Sequence, residues 1–394
     1  MAVYDGVPPR AEVVVDLAAV RHNVALLAGR AARSGARTMA VVKADGYGHG
    51  ALQVARAALE SGADWLGVCH LEEALALREA GITAPILSWL HAPDEDFAPA
   101  VAADVDLSVA SVRALDAVRG AAERTGRRAR VHLKIDTGLS RNGCPPQLWP
   151  DLVARAAQAQ AAGAIEVVAV WSHLACADEP DHPATDRQAE RFDTAYRVAL
   201  DAGLRPMRHI ANSAAVLTRP DLHFDLVRPG VAIYGLNPIP QLGDVGLRPA
   251  MTFRARVVLT KRVAAGESVS YGWTWTAPAP TTLALVPAGY ADGVPRALSG
   301  RMEVWLAGRR RPVVGRVCMD QIVVDCGDAE VAPGDEVVLF GPGDRGEPTA
   351  QEWADLLGTI HYEIVTGMIR PRVVRTVVER APVGRVSPGA EALR

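Results

Sequence analysis

Short apolar runs alternate with longer stretches of helical period over roughly the first 240 residues. The runs that read as strands cover residues 38–43, 65–70, 85–90, 106–110, 130–137, 165–173, 207–213 and 226–234. Between most of them lie Ala-, Leu-, Arg- and Glu-rich segments that read as helices, at 50–61, 72–80, 111–125, 151–162 and 186–202. A further helix, at 17–32, precedes the first strand. Eight strands with intervening helices over about 200 residues predict an α/β fold, a closed (β/α)8 TIM-type barrel. An open doubly wound sheet holding a dinucleotide would need a G-x-G-x-x-G turn after its first strand, and the chain has none there.

The pattern changes after Pro238. Short Val-rich runs follow, separated by Gly, Pro and Asp: "FRARVVLTKRV", "TTLALVPAGY", "RMEVWLAG", "RRPVVGRVCMD", "QIVVDC" and "DEVVLF". Strands at this spacing predict a mainly β C-terminal domain, with a short helix at 350–357. The expected division is an N-terminal segment over 1–14 that pairs with the β domain, a barrel over 15–238, a β-rich domain over 239–380 and a loose tail over 381–394.

Composition narrows the partners. The chain has 394 residues, 49% of them apolar, which is enough for a substantial core and more than one domain. Its formal net charge is −3 with no basic block, which argues against nucleic acid and anionic membrane as partners. No apolar run approaches the roughly 20 residues that span a bilayer. Residues 1–16 lack the basic start, hydrophobic stretch and cleavage site of a secretory signal. The five cysteines, Cys69, Cys144, Cys176, Cys318 and Cys326, form no C-x-x-C pair and read as reduced thiols of a cytoplasmic protein.

In a barrel of this kind, the C-terminal ends of the strands converge on one mouth, where active sites lie. Lys43 leaves the first strand in "AVVKADGYGHG", a place where a buried amine needs a partner or a purpose. Lys134, Asp136 and Arg141 stand around the end of the fifth strand, and His173 ends the sixth. Asn212 and Ser213 end the seventh, and Arg228, Pro229 and Gly230 fall in the eighth. Any one of these alone is ordinarily a hydrogen-bonded structural residue. Their convergence on one mouth carries the information.

The segments "AVVKADGYGHG", "LKIDTGLSRNG", "WSHLACAD", "ANSAA", "VRPGVAIYG", "SYGWTW", "PAGYADGVPR" and "GRVCMDQ" follow the order found in alanine racemases. The chain resembles that family from about residue 10 to about residue 375. The resemblance implies pyridoxal 5'-phosphate as cofactor, no metal, a small amino acid as substrate and a homodimer with shared active sites. It implies interconversion of L- and D-alanine, supplying D-alanine for peptidoglycan.

By that likeness Lys43 joins the cofactor aldehyde covalently and acts as one base. Glycines 46, 48 and 50 let the backbone pack closely beside the cofactor, and His49 is structural. Tyr47 donates to the phosphate, and Asn212, Ser213 and the N–H groups of Gly230 and Val231 complete that site. Arg228 faces the pyridine nitrogen. An arginine donates there without giving up its proton, so the cofactor becomes a weaker electron sink, which suits racemisation. A proton then leaves one face and returns on the other, and each face needs a base. Tyr271 is the second base, its phenolate favoured through His173 and Arg228. Tyr271, Met319 and Asp320 reach the partner subunit's site, Met319 touching the substrate. Tyr290 and Arg296 line the entry channel. Arg141 holds the substrate carboxylate. Lys134, carboxylated to a carbamate, braces Arg141.

One stretch departs from the family. A tyrosine in "Y-R-V-P-R" near the C-terminus usually touches the phosphate and narrows the channel. Here "IRPRVVR" puts Arg370 and Pro371 in that place, which predicts a missing hydroxyl and a looser preference for alanine. The alternatives are a racemase of other or more amino acids, such as serine, and a barrel-type pyridoxal-phosphate decarboxylase. The decarboxylase would need a cysteine and aspartate motif where "GRVCMDQ" stands. A non-catalytic cofactor-binding barrel would lack the second domain. A metal-dependent aldolase would have to draw on His173, Cys176 and His182, which share one strand end and loop.

Overall fold

The computed structural model describes residues 9–379, so the expected tail at 381–394 and the first eight residues of the N-terminal segment lie outside the described residues. Eight parallel strands form the barrel: Arg37–Val41, Trp65–Val68, Ile86–Ser88, Asp106–Val109, Ala129–Lys134, Ile165–Trp171, Met207–His209 and Leu226–Val227. Each pairs with the next through the seventh, and the eighth pairs with the first. The seventh and eighth are joined at their flanks, where Asp225 N–H donates to Arg208 O and Arg228 N–H to Ala211 O. The helices expected between the strands are present, and their caps explain two of their starts. Asp16 accepts from Ala18 N–H at the head of Leu17–Ala32, and Ser111 accepts from Ala114 N–H at the head of Val112–Thr125. No helix among the described residues is long and apolar enough to cross a membrane.

All eight barrel strands end before the apolar pattern does, and the last three show what this does to the mouth. The eighth stops at Val227, because Pro229 has no N–H and Gly230 turns the chain into the one-turn helix Val231–Tyr234. The sixth and seventh stop at Trp171 and His209. His173, Asn212 and Ser213 therefore stand beyond the sheet, in the mouth. Short helices at Ala98–Ala102, Ser213–Thr218 and His361–Thr366 were not signalled by periodicity, since five or six residues hold less than two turns.

The second sheet has nine strands, in the order Leu259–Val263, Thr281–Val286, Ile322–Gly327, Arg309–Val314, Glu303–Leu306, Glu336–Phe340, Met251–Arg256, Ala11–Asp16 and Val374–Val378. The run at 253–263, read as one strand, is two. At Val257 and Val258 the backbone changes partner, from Asp335 O to Leu285 O, and the second strand joins the far side of the sheet. Ala11–Asp16 lies between Met251–Arg256, antiparallel, and Val374–Val378, parallel. One hydrophobic core runs from the barrel's helices into this sheet, taking in Val24, Leu27, Phe253, Phe340 and Trp353.

Candidate active site

Lys43 follows the first barrel strand and begins a turn of unusual hand. Residues 44–47 have φ of 52°, 49°, 62° and 51°, one turn of left-handed helix. L-residues pay for that conformation, roughly 1–2 kcal/mol each, so the turn must be held from outside. Ala44 N–H donates to Glu73 Oε1 at 2.6 Å. Asp45 accepts from Ala51 N–H at 3.0 Å and pairs with Arg375 of the last strand. His49 is buried, with Nδ1 at 2.9 Å from Tyr47 O. Gly48 and Gly50 allow close packing against the C-terminal region: a Cβ on Gly48 would lie 2.5 Å from Val365 O, and one on Gly50 would lie 2.9 Å from Arg375 Nη1.

The Lys43 amine is 5.8 Å from the Trp89 ring centre. Burial lowers its pKa, and Arg141 adds to this while Cys69 and Glu73 oppose it. Lys134 is 4% exposed and stands 4.1 Å over the Trp171 ring. Burial, then Arg228 and Arg141, lowers its pKa to about 7. The exposed Arg141 thus shares one field with both lysines. Asp136 works locally, accepting from Gly138 N–H at 2.9 Å and Ser140 N–H at 3.1 Å to turn the loop that carries Arg141.

Arg228 is 4% exposed and also lies against the Trp171 ring, 4.8 Å from its centre. Its acceptors carry no formal charge: His209 Nδ1 at 2.9 Å, Ser172 O at 2.7 Å and Ile210 O at 3.2 Å, with His173 Nδ1 at 3.3 Å. Burial lowers its pKa to about 9, still a cation at neutral pH. The same burial, then Arg228, holds His173 well below the usual imidazole range.

Ser213 Oγ accepts from Gly230 N–H at 2.8 Å and Ala232 N–H at 3.3 Å, binding the loops after the seventh and eighth strands together. A Cβ on Gly230 would lie 2.5 Å from the Tyr47 hydroxyl oxygen. Tyr47, Ser213, Gly230 and Val231 therefore meet at one spot. Asn212 caps the helix Ser213–Thr218 by accepting from Ala215 N–H at 3.1 Å.

The remaining expected residues lie on the β domain. Tyr271 is 71% exposed on the one-turn helix Tyr271–Trp273, and Met319 is 52% exposed. The Tyr290 loop is tied to the Met319 loop by Tyr290 N–H to Cys318 O and Ala291 N–H to Met319 O. Asp320 pairs with Arg372 of its own chain at 2.6 Å, and Arg296 opens the short helix Arg296–Leu298. Among the described residues, no hydrogen bond, ion pair or ring contact joins Tyr271 to the barrel mouth.

Two family profiles match this chain: "Alanine racemase, N-terminal domain" over residues 15–238 and "Alanine racemase, C-terminal domain" over residues 250–377. The chain belongs to the alanine racemase family. It is 57% identical to the alanine racemase of Mycobacterium ulcerans (strain Agy99) over 378 residues, 95% of this chain and 97% of that one. It is 59% identical to that of Salinispora arenicola (strain CNS-205) over 368 residues, 93% and 98% of the two chains. The crystal structure of alanine racemase from D-cycloserine-producing Streptomyces lavendulae matches with a TM-score of 0.92 at 51% identity, covering 95% of this chain and 98% of that one.

Within this alanine racemase fold a C-terminal phenol packs beside Tyr47, at a different position from the one that Arg370 and Pro371 fill. Tyr362, on the helix His361–Thr366, has its ring centre 6.2 Å from that of Tyr47, and burial raises its pKa to about 12. It stands eight residues before Arg370, in "HYEIVT", where no motif marked it. Trp89, Trp171 and Glu73 were also missed. Each is an ordinary core or helix residue by pattern, and only the barrel brings Trp89 and Glu73 to Lys43 and Trp171 to Lys134.

Proposed function

We propose that the protein interconverts L- and D-alanine with pyridoxal phosphate, using Lys43 and the partner subunit's Tyr271 as the two bases. The observation that carries this is Arg228, a buried cation in the mouth whose acceptors are imidazoles and carbonyls rather than a carboxylate. The residues fit the cofactor. The Gly230 cradle, which a Cβ would fill, is edged by the Tyr47 and Ser213 hydroxyls and suits a phosphate, and the desolvated Lys43 amine suits an aldehyde.

Pyridoxal phosphate, when bound, supplies the electron sink that acidifies the α-C–H bond of an amino acid. Arg228 limits that sink by donating to the ring nitrogen without yielding its proton. Lys43 takes or returns the α-proton on one face, and the partner's Tyr271 does so on the other. Arg141 holds the carboxylate with its planar fork. With its pKa near 7, Lys134 has a neutral fraction able to add carbon dioxide. The new N–C bond releases a proton to solvent and leaves a carbamate anion to brace Arg141. The exposed Tyr271 and Met319 suit a face that completes a second copy's site, with residues 239–380 reaching across a homodimer.

Borohydride reduction followed by peptide mapping tests the centre of this reading. The label is expected on Lys43, and Lys43→Ala is expected to lose racemisation in both directions. A label on Lys134 would overturn it.

A further inference from the structure

Asp106, His132 and His209 are fully buried inside the barrel, and the proposed reaction uses none of them. Asp106 opens the fourth strand, His132 lies within the fifth and His209 ends the seventh. Hydrogen bonds join them in one line to Arg228. Arg228 Nη1 is 2.9 Å from His209 Nδ1, His209 Nε2 is 2.9 Å from His132 Nδ1, and His132 Nε2 is 3.0 Å from Asp106 Oδ2. Asp106 also accepts from Arg130 Nε at 2.7 Å.

The two ends set the direction of this line. A guanidinium only donates, and a carboxylate only accepts. His209 must therefore accept at Nδ1 and keep its proton on Nε2. His132 must then accept at Nδ1, keep its proton on Nε2 and donate to Asp106. Both rings are neutral in this arrangement, since a further proton on either would set N–H against N–H. The rings are also held by packing. His209 stacks on Trp171 with centres 5.4 Å apart, and His132 meets the edge of Trp65 at 5.4 Å.

We infer that Asp106, His132 and His209 are positioning residues that fix the acceptor beneath Arg228 and so aim its charge at the mouth. The inference rests on the reading of Arg228 as the partner of the cofactor ring. A carboxylate touching Arg228 would cancel much of its field there. Set two imidazoles away, it orders the acceptors and leaves the cation's field largely intact.

Nitrogen-15 NMR of histidine-labelled holoenzyme tests the line directly. His132 and His209 are both expected as neutral rings protonated on Nε2, and a proton on His209 Nδ1 would overturn the inference. Asp106→Leu removes the terminal acceptor, whereas Asp106→Asn keeps an oxygen there. The leucine variant is expected to shift the visible band of the bound cofactor and to lower kcat on the order of tenfold, with KM for alanine unchanged. The asparagine variant is expected to stay close to wild type. An unchanged band and kcat in Asp106→Leu would overturn the positioning role. Should that variant fail to fold, the wild-type tautomers still decide. A wild-type enzyme that holds cofactor but does not racemise alanine would sink the functional reading and leave the tautomer result standing.

Discussion

The Lys134 amine shows how one side chain records the character of the mouth. Burial, Arg228 and Arg141 bring its pKa down to about 7, and only Cys69 among its named neighbours pulls the other way. The unfolded chain binds this proton up to the ordinary amine range, so between about pH 7 and about pH 10 it holds more protons than the folded one. Stability from this site therefore rises with pH across that window. It is flat below the window, where the amine is protonated in both states. Lys134→Met is expected to be more stable than wild type at neutral pH in buffer freed of carbon dioxide, with the gap closing toward about pH 10. Denaturant titrations at stepped pH measure this, and a gap that does not change with pH would contradict the lowered pKa. At this scale the sequence exposed Lys43, Lys134, Arg141 and Arg228, because charge at a strand end is conspicuous. It hid His132 and His209, which sit within apolar runs and gain meaning only when the fifth and seventh strands flank the sixth and bring the two rings together.

At the scale of elements, the left-handed turn after Lys43 depends on the C-terminal region. Gly48 has φ +82° and Gly35 has φ +76°, but an added Cβ meets Val365 O at 2.5 Å in the first case and open space in the second. Gly35→Ala is expected to cost about 1 kcal/mol from backbone conformation alone. Gly48→Ala is expected to cost on the order of 3 kcal/mol, because the helix His361–Thr366 must also give way. Urea unfolding of the two variants checks this, and equal losses would mean that the helix yields freely. Barrel strands and their helices were legible because period and length agree over ten residues or more. The strand Val374–Val378 was not legible. It lies at the edge of the sheet, largely exposed, and alternates weakly.

For the whole molecule, the separation between a half-buried Lys43 in the barrel mouth and an exposed Tyr271 on the β domain predicts how two defects combine. Lys43→Ala chains and Tyr271→Ala chains, each inactive alone, are mixed under conditions that allow exchange. Half the dimers become hybrids, and each hybrid holds one site with both defects and one with neither. Activity is expected to recover to roughly a quarter of wild type. A mixture as inactive as its parents would mean that the two residues act within one chain.

The strand Ala11–Asp16 reaches its place by an unusual route through time. Its antiparallel partner, Met251–Arg256, leaves the ribosome about 240 residues later, which at roughly 5–20 residues per second is about 12–50 s. Through that interval "AEVVVD" is an apolar strand with both edges bare, although the barrel strands that follow it are already available to pair with one another. A nascent chain halted anywhere before Met251 carries that open edge permanently. One edge of those six residues waits for Met251–Arg256, and the other waits for Val374–Val378, almost the last segment of the described chain to be made.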